Sequence, residues 1–196
     1  MENEMFEFRI HGRGGQGIVV AASIFAEAVF SEGYYARAFS LFGAERRGAP
    51  VTAFIRVSKD RLMPRSRIYI PDYVVVFDAT ITGSTLVAGL KEDGIMLINA
   101  DDNWQDKLPP EAFKNNKFKI YVVDATDIAS RHKLTIGSFP MVNTVMLGAM
   151  ARISGLSSLE NLTSAIRKKV SASIEENIKA TTQGYETVKE VGQLVT

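Results

Sequence analysis

Apolar and polar positions along this chain follow two rhythms, one with the period of a strand and one with that of a helix. Residues 6–11 alternate as a short strand and run directly into Gly12-Arg13-Gly14-Gly15-Gln16-Gly17. Residues 18–31 are rich in alanine and apolar at three- and four-residue spacing, which predicts a helix, and Gly33 stands where a helix C-terminus favours glycine. Further strands are predicted at 34–39, 51–57, 73–77, 95–99 and 119–123. The run Tyr73-Val74-Val75-Val76-Phe77 is apolar without alternation, as for a parallel strand covered on both faces. Helices are predicted at 85–90, 110–115 and 140–153.

The last forty residues read differently. Ser157 precedes Glu160 by three residues, and Ser173 precedes Glu176 likewise, the spacing of a capping box. Arg167, Lys168 and Lys169 then fall at the end of the first predicted helix, where cations suit the dipole. Ile174, Ile178, Thr181, Tyr185 and Val188 make an inner stripe for the second. With no repeat and no linker, the pattern predicts one domain over residues 1–196. Its expected fold class is α/β, a three-layer sandwich with a mainly parallel sheet, a glycine-rich loop after the first strand and two C-terminal helices.

Composition narrows the chemistry. The chain has 196 residues, 46% of them hydrophobic and 23% charged, as in ordinary globular proteins. Its net charge of +1 gives no long-range pull toward nucleic acid or an acidic membrane. There is no cysteine, which excludes disulfides, thiolate nucleophiles and Cys-ligated clusters from this chain. His11 and His132 are the only imidazoles, so no metal site is expected. The acidic start lacks the features of a signal peptide, and the uncharged stretch 134–151 is broken by Gly137, Pro140 and Asn143, so a cytoplasmic protein is expected.

A strand, a Gly-x-Gly-x-x-Gly loop and a helix together make an anion-binding turn, because unpaired amides at the helix start face the loop. The bland alternative is a tight turn that binds nothing. Ile18 follows Gly17 where a Walker loop requires Lys-Ser/Thr, so nucleotide hydrolysis is not indicated. NAD is disfavoured because residues 36–41 hold no acid; Arg37 suits a phosphorylated ribose, in NADP or coenzyme A, or a plain surface position. A second cluster, Glu45-Arg46-Arg47 between Gly43 and Gly48, offers planar guanidinium forks for carboxylate or phosphate, or else an internal ion pair or subunit contact.

At these two loops the sequence resembles the gamma subunits of 2-oxoacid:ferredoxin oxidoreductases, in particular those of pyruvate enzymes. The resemblance rests on His11 to Gly17, on Phe42-Gly-Ala-Glu-Arg-Arg-Gly-Ala-Pro50 and on a strand ending in Arg56. It continues through Pro71 to Asp78, Gly94 to Asn99 and Asn143 to Gly148, spanning roughly residues 6–185. It implies a noncatalytic subunit in a complex with alpha, beta and delta chains that reduces ferredoxin. Thiamine diphosphate, Mg and iron–sulfur clusters would sit on those partners, with none held by this chain alone, and coenzyme A would accept the acyl group. By the same resemblance Gly12, Arg13, Gly14, Gly15, Gln16 and Gly17, with Glu45, Arg46 and Arg47, are the expected coenzyme A-binding residues. The rival reading is a free-standing NADP-binding module or reductase.

Individual positions carry weaker signals. His11 is expected to pack with its ring hydrogen-bonded to backbone, Asp78 to cap a turn and Asn143 to cap a helix. Phe39, Phe42 and Phe54 read as core or subunit interface. No carboxylate pair stands out for acid–base work.

Overall fold

A computed structural model describes residues 5–41, 48–61, 64, 66–81, 86–107 and 118–193. β1 (Met5–Arg13) leads into α1 (Ile18–Ser31), then β2 (Tyr35–Leu41) and β3 (Pro50–Ser58) form a hairpin-like pair. β4 (Tyr73–Val76), β5 (Ile95–Asn99) and β6 (Lys119–Val123) follow. The C-terminal part holds α2 (Ala125–Arg131), the small hairpin β7 (Thr135–Ile136) and β8 (Phe139–Pro140), then α3 (Asn143–Ser154), α4 (Leu159–Lys169), α5 (Ile174–Thr187) and β9 (Lys189–Gln193). Among the described residues these strands build a seven-stranded sheet in the order β2-β3-β1-β4-β5-β6-β9. β1, β4, β5 and β6 run parallel, while β3 and β9 are antiparallel to their neighbours. The expected α/β fold with a mainly parallel sheet is what the chain adopts.

The alternation of β1 decides what each sheet face must be. Phe8 and Ile10 point to the face covered by α1, α3, α4 and α5, where they are fully buried among Phe25, Val75 and Met146. The continuous apolar run of β4 supplies both faces, Val75 to the helices and Val74 and Val76 to the other side. That other side is covered more thinly, by the turns at Leu86–Leu90 and a 3-10 turn at Trp104–Lys107. Residues 86–89 are turns where the sequence predicts a helix. Leu90 donates to Val87 and Lys91 donates to Pro71, so the segment folds over the sheet and does not continue an i→i−4 ladder. The helix predicted at 110–115 lies outside the described residues.

The C-terminal helices form where predicted, but neither cap follows the predicted pattern. The N-cap of α4 is Ser158, one residue later than expected, and it accepts from the Asn161 amide. Glu32, just beyond α1, completes that cap by accepting from the Ser158 amide at 2.7 Å and from Asn161 Nδ2 at 2.8 Å. Ser173 is left-handed at φ 49° and makes no side-chain cap to α5. The buried stripe of α5 is Asn177, Ala180, Thr181 and Gly184, with Ile178 and Tyr185 on its flank; the helix ends before Val188.

α3 and α5 cross with their backbones in contact. A Cβ on Gly148 would stand 1.9 Å from the Thr181 carbonyl oxygen, and one on Gly184 would stand 2.3 Å from that of Val145. Around the crossing, Thr144 Oγ1 donates to Asn177 Oδ1 at 2.8 Å and Thr181 Oγ1 donates to the Thr144 carbonyl at 3.0 Å. These buried polar groups are all paired, so their burial carries no unsatisfied penalty. Gly148→Ala is expected to force the helices apart and cost about 1–3 kcal/mol, a loss of roughly 3–10 °C in Tm. A thermal melt followed by circular dichroism checks this, with a wild-type Tm counting against close contact.

Candidate functional site

The parallel strands β1, β4, β5 and β6 end along one edge of the sheet, and a crevice of about 930 Å³ opens there. This is where ligands bind in open α/β sheets, outside the carboxyl ends of the strands. One wall is the glycine loop, with Arg13, Gly14, Gly15 and Gln16 facing the cavity. Phe77, Ala79 and Ala100 line its floor, and Ile136, Phe139 and Met141 form an apolar wall opposite. The lining is thus mixed: the glycine loop with Arg13, the aspartates Asp78, Asp101, Asp124 and Asp127, and apolar side chains.

The loop is held by its own side chains. Gln16 Oε1 accepts from the Arg13 amide at 2.7 Å, while its Nε2 donates to Asp78 Oδ2 at 2.8 Å. The same Asp78 oxygen lies 3.2 Å from Arg13 Nε, and Arg13 Nη1 donates to the Gly48 carbonyl at 3.0 Å. Gly14 and Gly48 exchange further backbone bonds with this neighbourhood, Gly14 donating to Ala49 and Gly48 donating to Gly14. Gly17 has φ 70°, and a Cβ there would meet Asn143 Nδ2 at 2.6 Å, so both conformation and space require glycine.

Asp78 turns out to be the hub, a role that residue-by-residue reading of the sequence misses. Its expected part as a turn cap is real, since Oδ1 accepts from the Thr80 amide at 2.9 Å and the Thr80 hydroxyl at 2.5 Å. Burial works to raise its pKa; the Thr80 and Gln16 hydrogen bonds and the Arg13 charge outweigh this and hold it below the ordinary carboxylate value. Its charge is matched by Arg13, so the crevice does not repel an anion through Asp78. The three other acids lining it are also engaged, Asp101 by accepting from the Asn103 amide at 3.0 Å. Asp124 caps α2 by accepting from the Asp127 amide, and Asp127 pairs with Arg131.

His11 packs as expected, but its partner is a side chain and not backbone. It is 8% exposed, and its Nε2 accepts from Arg9 Nε at 3.0 Å. Burial first, then the Arg9 and Arg67 charges, push its pKa down to about 4. Asn143 accepts locally from the Thr144 amide and packs on Gly17. Phe54 is fully buried and Phe39 stacks on it at 5.2 Å, so both belong to the sheet face. Phe42, Glu45, Arg46 and Arg47 lie outside the described residues; Gly48, which follows Arg47 in sequence, lines the crevice.

The strand order bears on the nucleotide class. In a dinucleotide-binding fold the second strand lies beside the first and brings its end to the ribose. Here β3 separates β2 from β1, and Arg37 sits opposite Arg56 within the β2–β3 pair. The geometry therefore does not place Arg37 at a ribose held by the glycine loop, which argues against NADP. Among the described residues there is no group of three or more His, Cys, Asp or Glu placed to hold a metal, and no helix is long and apolar enough to cross a membrane.

An α/β domain whose mainly parallel sheet opens a crevice at its carboxyl edge, lined by a glycine loop and apolar side chains, is the class that fold and site define. Comparison with known proteins gives the family: the profile for pyruvate ferredoxin/flavodoxin oxidoreductase matches residues 7–187, and the chain belongs to that family. It is 45% identical over 184 residues to the pyruvate/ketoisovalerate oxidoreductases common subunit gamma of Pyrococcus abyssi, covering 93% of this chain and 96% of that one. It is 43% identical over 190 residues to pyruvate synthase subunit PorC of Methanothermobacter marburgensis, covering 96% and 100%. The crystal structure of pyruvate oxidoreductase subunit PORC from Thermotoga maritima superposes with a TM-score of 0.80 at 38% identity, covering 96% of this chain and 99% of that one. The chain is thus a gamma-type subunit of a multisubunit 2-oxoacid oxidoreductase.

His11 gives a test of the buried polar face. A histidine whose folded pKa lies below its unfolded value stabilises the fold fully above pH 6.5, and that contribution is lost as pH falls toward 4. Its full size is at most about 3 kcal/mol. His11→Asn, which keeps an acceptor for Arg9, is expected to flatten this part of the stability–pH curve in urea unfolding at pH 4–7. Parallel wild-type and variant curves would contradict a buried neutral imidazole.

Proposed function

We propose that the chain serves a pyruvate:ferredoxin oxidoreductase, in which pyruvate is oxidatively decarboxylated to acetyl-CoA and carbon dioxide while ferredoxin is reduced. Thiamine diphosphate, Mg and the iron–sulfur clusters belong to the alpha, beta and delta partners in this reading. A chain without cysteine has no ligands for a cluster, and its crevice has no described set of carboxylates for Mg. The residues do fit coenzyme A, which supplies the thiol that takes the acyl group. The observation that carries the assignment is the pairing, across one crevice, of the glycine loop at the start of α1 with an apolar wall.

Each part of the site then has its own task. The Arg13, Gly14 and Gln16 amides are spent in shaping the loop, so the start of α1, with its partial positive charge, is what faces a pyrophosphate. Arg13, one-third exposed, contributes a guanidinium whose direction Asp78 and the Gly48 carbonyl fix and whose charge Asp78 offsets in part. Gln16 orients the loop by accepting from the Arg13 amide and donating to Asp78. Ile136, Phe139 and Met141 offer hydrocarbon to the less polar part of the ligand. Glu45, Arg46 and Arg47, just before Gly48 in sequence, are assigned to the same ligand. None of these groups makes or breaks a covalent bond; the chain binds, orients and helps assemble the enzyme.

Gly15 separates ligand contact from folding. It has φ 97° with open space where a Cβ would stand, so Gly15→Val strains only the loop backbone. In the assembled complex the variant is expected to raise the KM for coenzyme A about tenfold, near 1.4 kcal/mol, while assembly and the KM for pyruvate stay at wild-type values. An unchanged KM for coenzyme A would remove the loop from the site. Rates with pyruvate, 2-oxoglutarate and 2-oxoisovalerate test the substrate, and a higher kcat/KM for either alternative overturns pyruvate.

A further inference from the structure

We propose that Thr80 is a positioning residue for the coenzyme: its hydroxyl, set between Asp78 and Arg13, aims the Arg13 guanidinium at a phosphate group of the ligand. This rests on the reading of the crevice as a coenzyme A site and adds to it a residue that orients one of the binding groups.

Thr80 lies beyond the end of β4 and lines the crevice beside Asp78 and Ala79. Its backbone and its side chain have separate tasks. The amide donates to Asp78 Oδ1 at 2.9 Å, which closes the turn that an aspartate makes with the residue two places on. Any residue but proline at position 80 supplies that bond, so the turn does not need a hydroxyl. The hydroxyl donates to Asp78 Oδ1 at 2.5 Å and accepts from Arg13 Nη2 at 2.9 Å and Arg13 Nε at 3.2 Å. A hydroxyl has one donor and two acceptor sites. The whole capacity of Thr80 Oγ1 is therefore spent on Asp78 and Arg13, although the residue is exposed and water is within its reach.

The donors of Arg13 show what this achieves. Nε faces Thr80 Oγ1 and lies 3.2 Å from Asp78 Oδ2, and Nη1 donates to the Gly48 carbonyl at 3.0 Å. Nη2 donates to Thr80 Oγ1; its second contact, with the Thr80 carbonyl at 3.4 Å, is longer than a firm N–H···O bond. Of the five N–H groups of a guanidinium, three are thus committed. Among the described residues, one on Nη1 and one on Nη2 remain for a ligand in the crevice that Arg13 lines. Two N–H groups on one planar fork match two oxygens of a phosphate. Asp78 offsets part of the charge, so Arg13 offers a phosphate direction more than charge, and the hydroxyl of Thr80 sets that direction. Without it, Nη2 loses its one short bond and the guanidinium is free to turn onto Asp78. The β-branch of threonine, stiff at χ1, holds the hydroxyl in place.

The test uses the complex formed by co-producing the chain with its partner subunits. Thr80→Val keeps the size and the β-branch but not the hydroxyl. It is expected to raise the KM for coenzyme A about tenfold, with kcat and the KM for pyruvate at wild-type values and the circular dichroism spectrum of the chain unchanged. Thr80→Ala, which also lacks the hydroxyl, is expected to match it. Thr80→Ser restores the hydroxyl and is expected to return the KM for coenzyme A to within about threefold of wild type. A wild-type KM for coenzyme A in either hydroxyl-free variant overturns the assignment. So does a serine variant as impaired as Thr80→Val, or an equal rise in the KM for pyruvate, each of which makes the residue a structural one. Arg13→Ala separates this from the underlying reading. If it leaves the KM for coenzyme A unchanged, the crevice is not the coenzyme site; if it raises that KM while Thr80→Val does not, Thr80 alone is removed.

Discussion

Strand β1 has to satisfy two incompatible demands at once, and most of the architecture follows from how it does so. Phe8 and Ile10 on one side need a hydrocarbon cover, and α1 and α3 supply it. On the other side Arg9 and His11 are buried and Glu7 is half-buried; all are polar, and hydrocarbon alone would leave them unpaired at a cost of several kcal/mol (~2–7). They are covered instead by chain whose carbonyls and side chains bond them. Leu86 provides for Arg9, and the Pro64 and Ser66 carbonyls hold Arg56, the partner of Glu7. The two sides of the sheet consequently differ in thickness as well as in chemistry.

The end of the same strand delivers the glycine loop to the crevice, so fold and site share one origin. Parallel strands leave their carboxyl ends open, and Asp78 closes this opening on one side by binding Gln16 and Arg13. The intervening strand β3 then separates this site from a dinucleotide-binding one, because it displaces β2 from the ribose position.

Much of this was legible in local sequence. Apolar runs located six strands of the sheet, and the glycine loop they frame lines the crevice at its edge. What escaped depends on residues far apart in the chain. Nothing near Glu32 announces that it caps a helix beginning at Leu159, and nothing near Gln16 points to Asp78. α2 did carry a local signal, Asp124 three residues before Asp127, but its few apolar residues hide the period. β9 is an edge strand read as polar chain, Lys189 and Glu190 included, and its pairing with β6 is set by where α5 ends. Ser173 shows the reverse case, a spacing that suggests a cap where the backbone is left-handed and the side chain makes none.

The glycine contact between α3 and α5 has a mechanical side. Asn143 is the first residue of α3, and its amide group fills the space that Gly17 leaves open. One residue later, Thr144 is bonded to Asn177 and Thr181 of α5. α5 is therefore tied, through its backbone-to-backbone joint with α3, to the residue against which the glycine loop turns. α3 and α5 thus back the crevice as one joined piece, with Asn143 as its point of contact with the glycine loop.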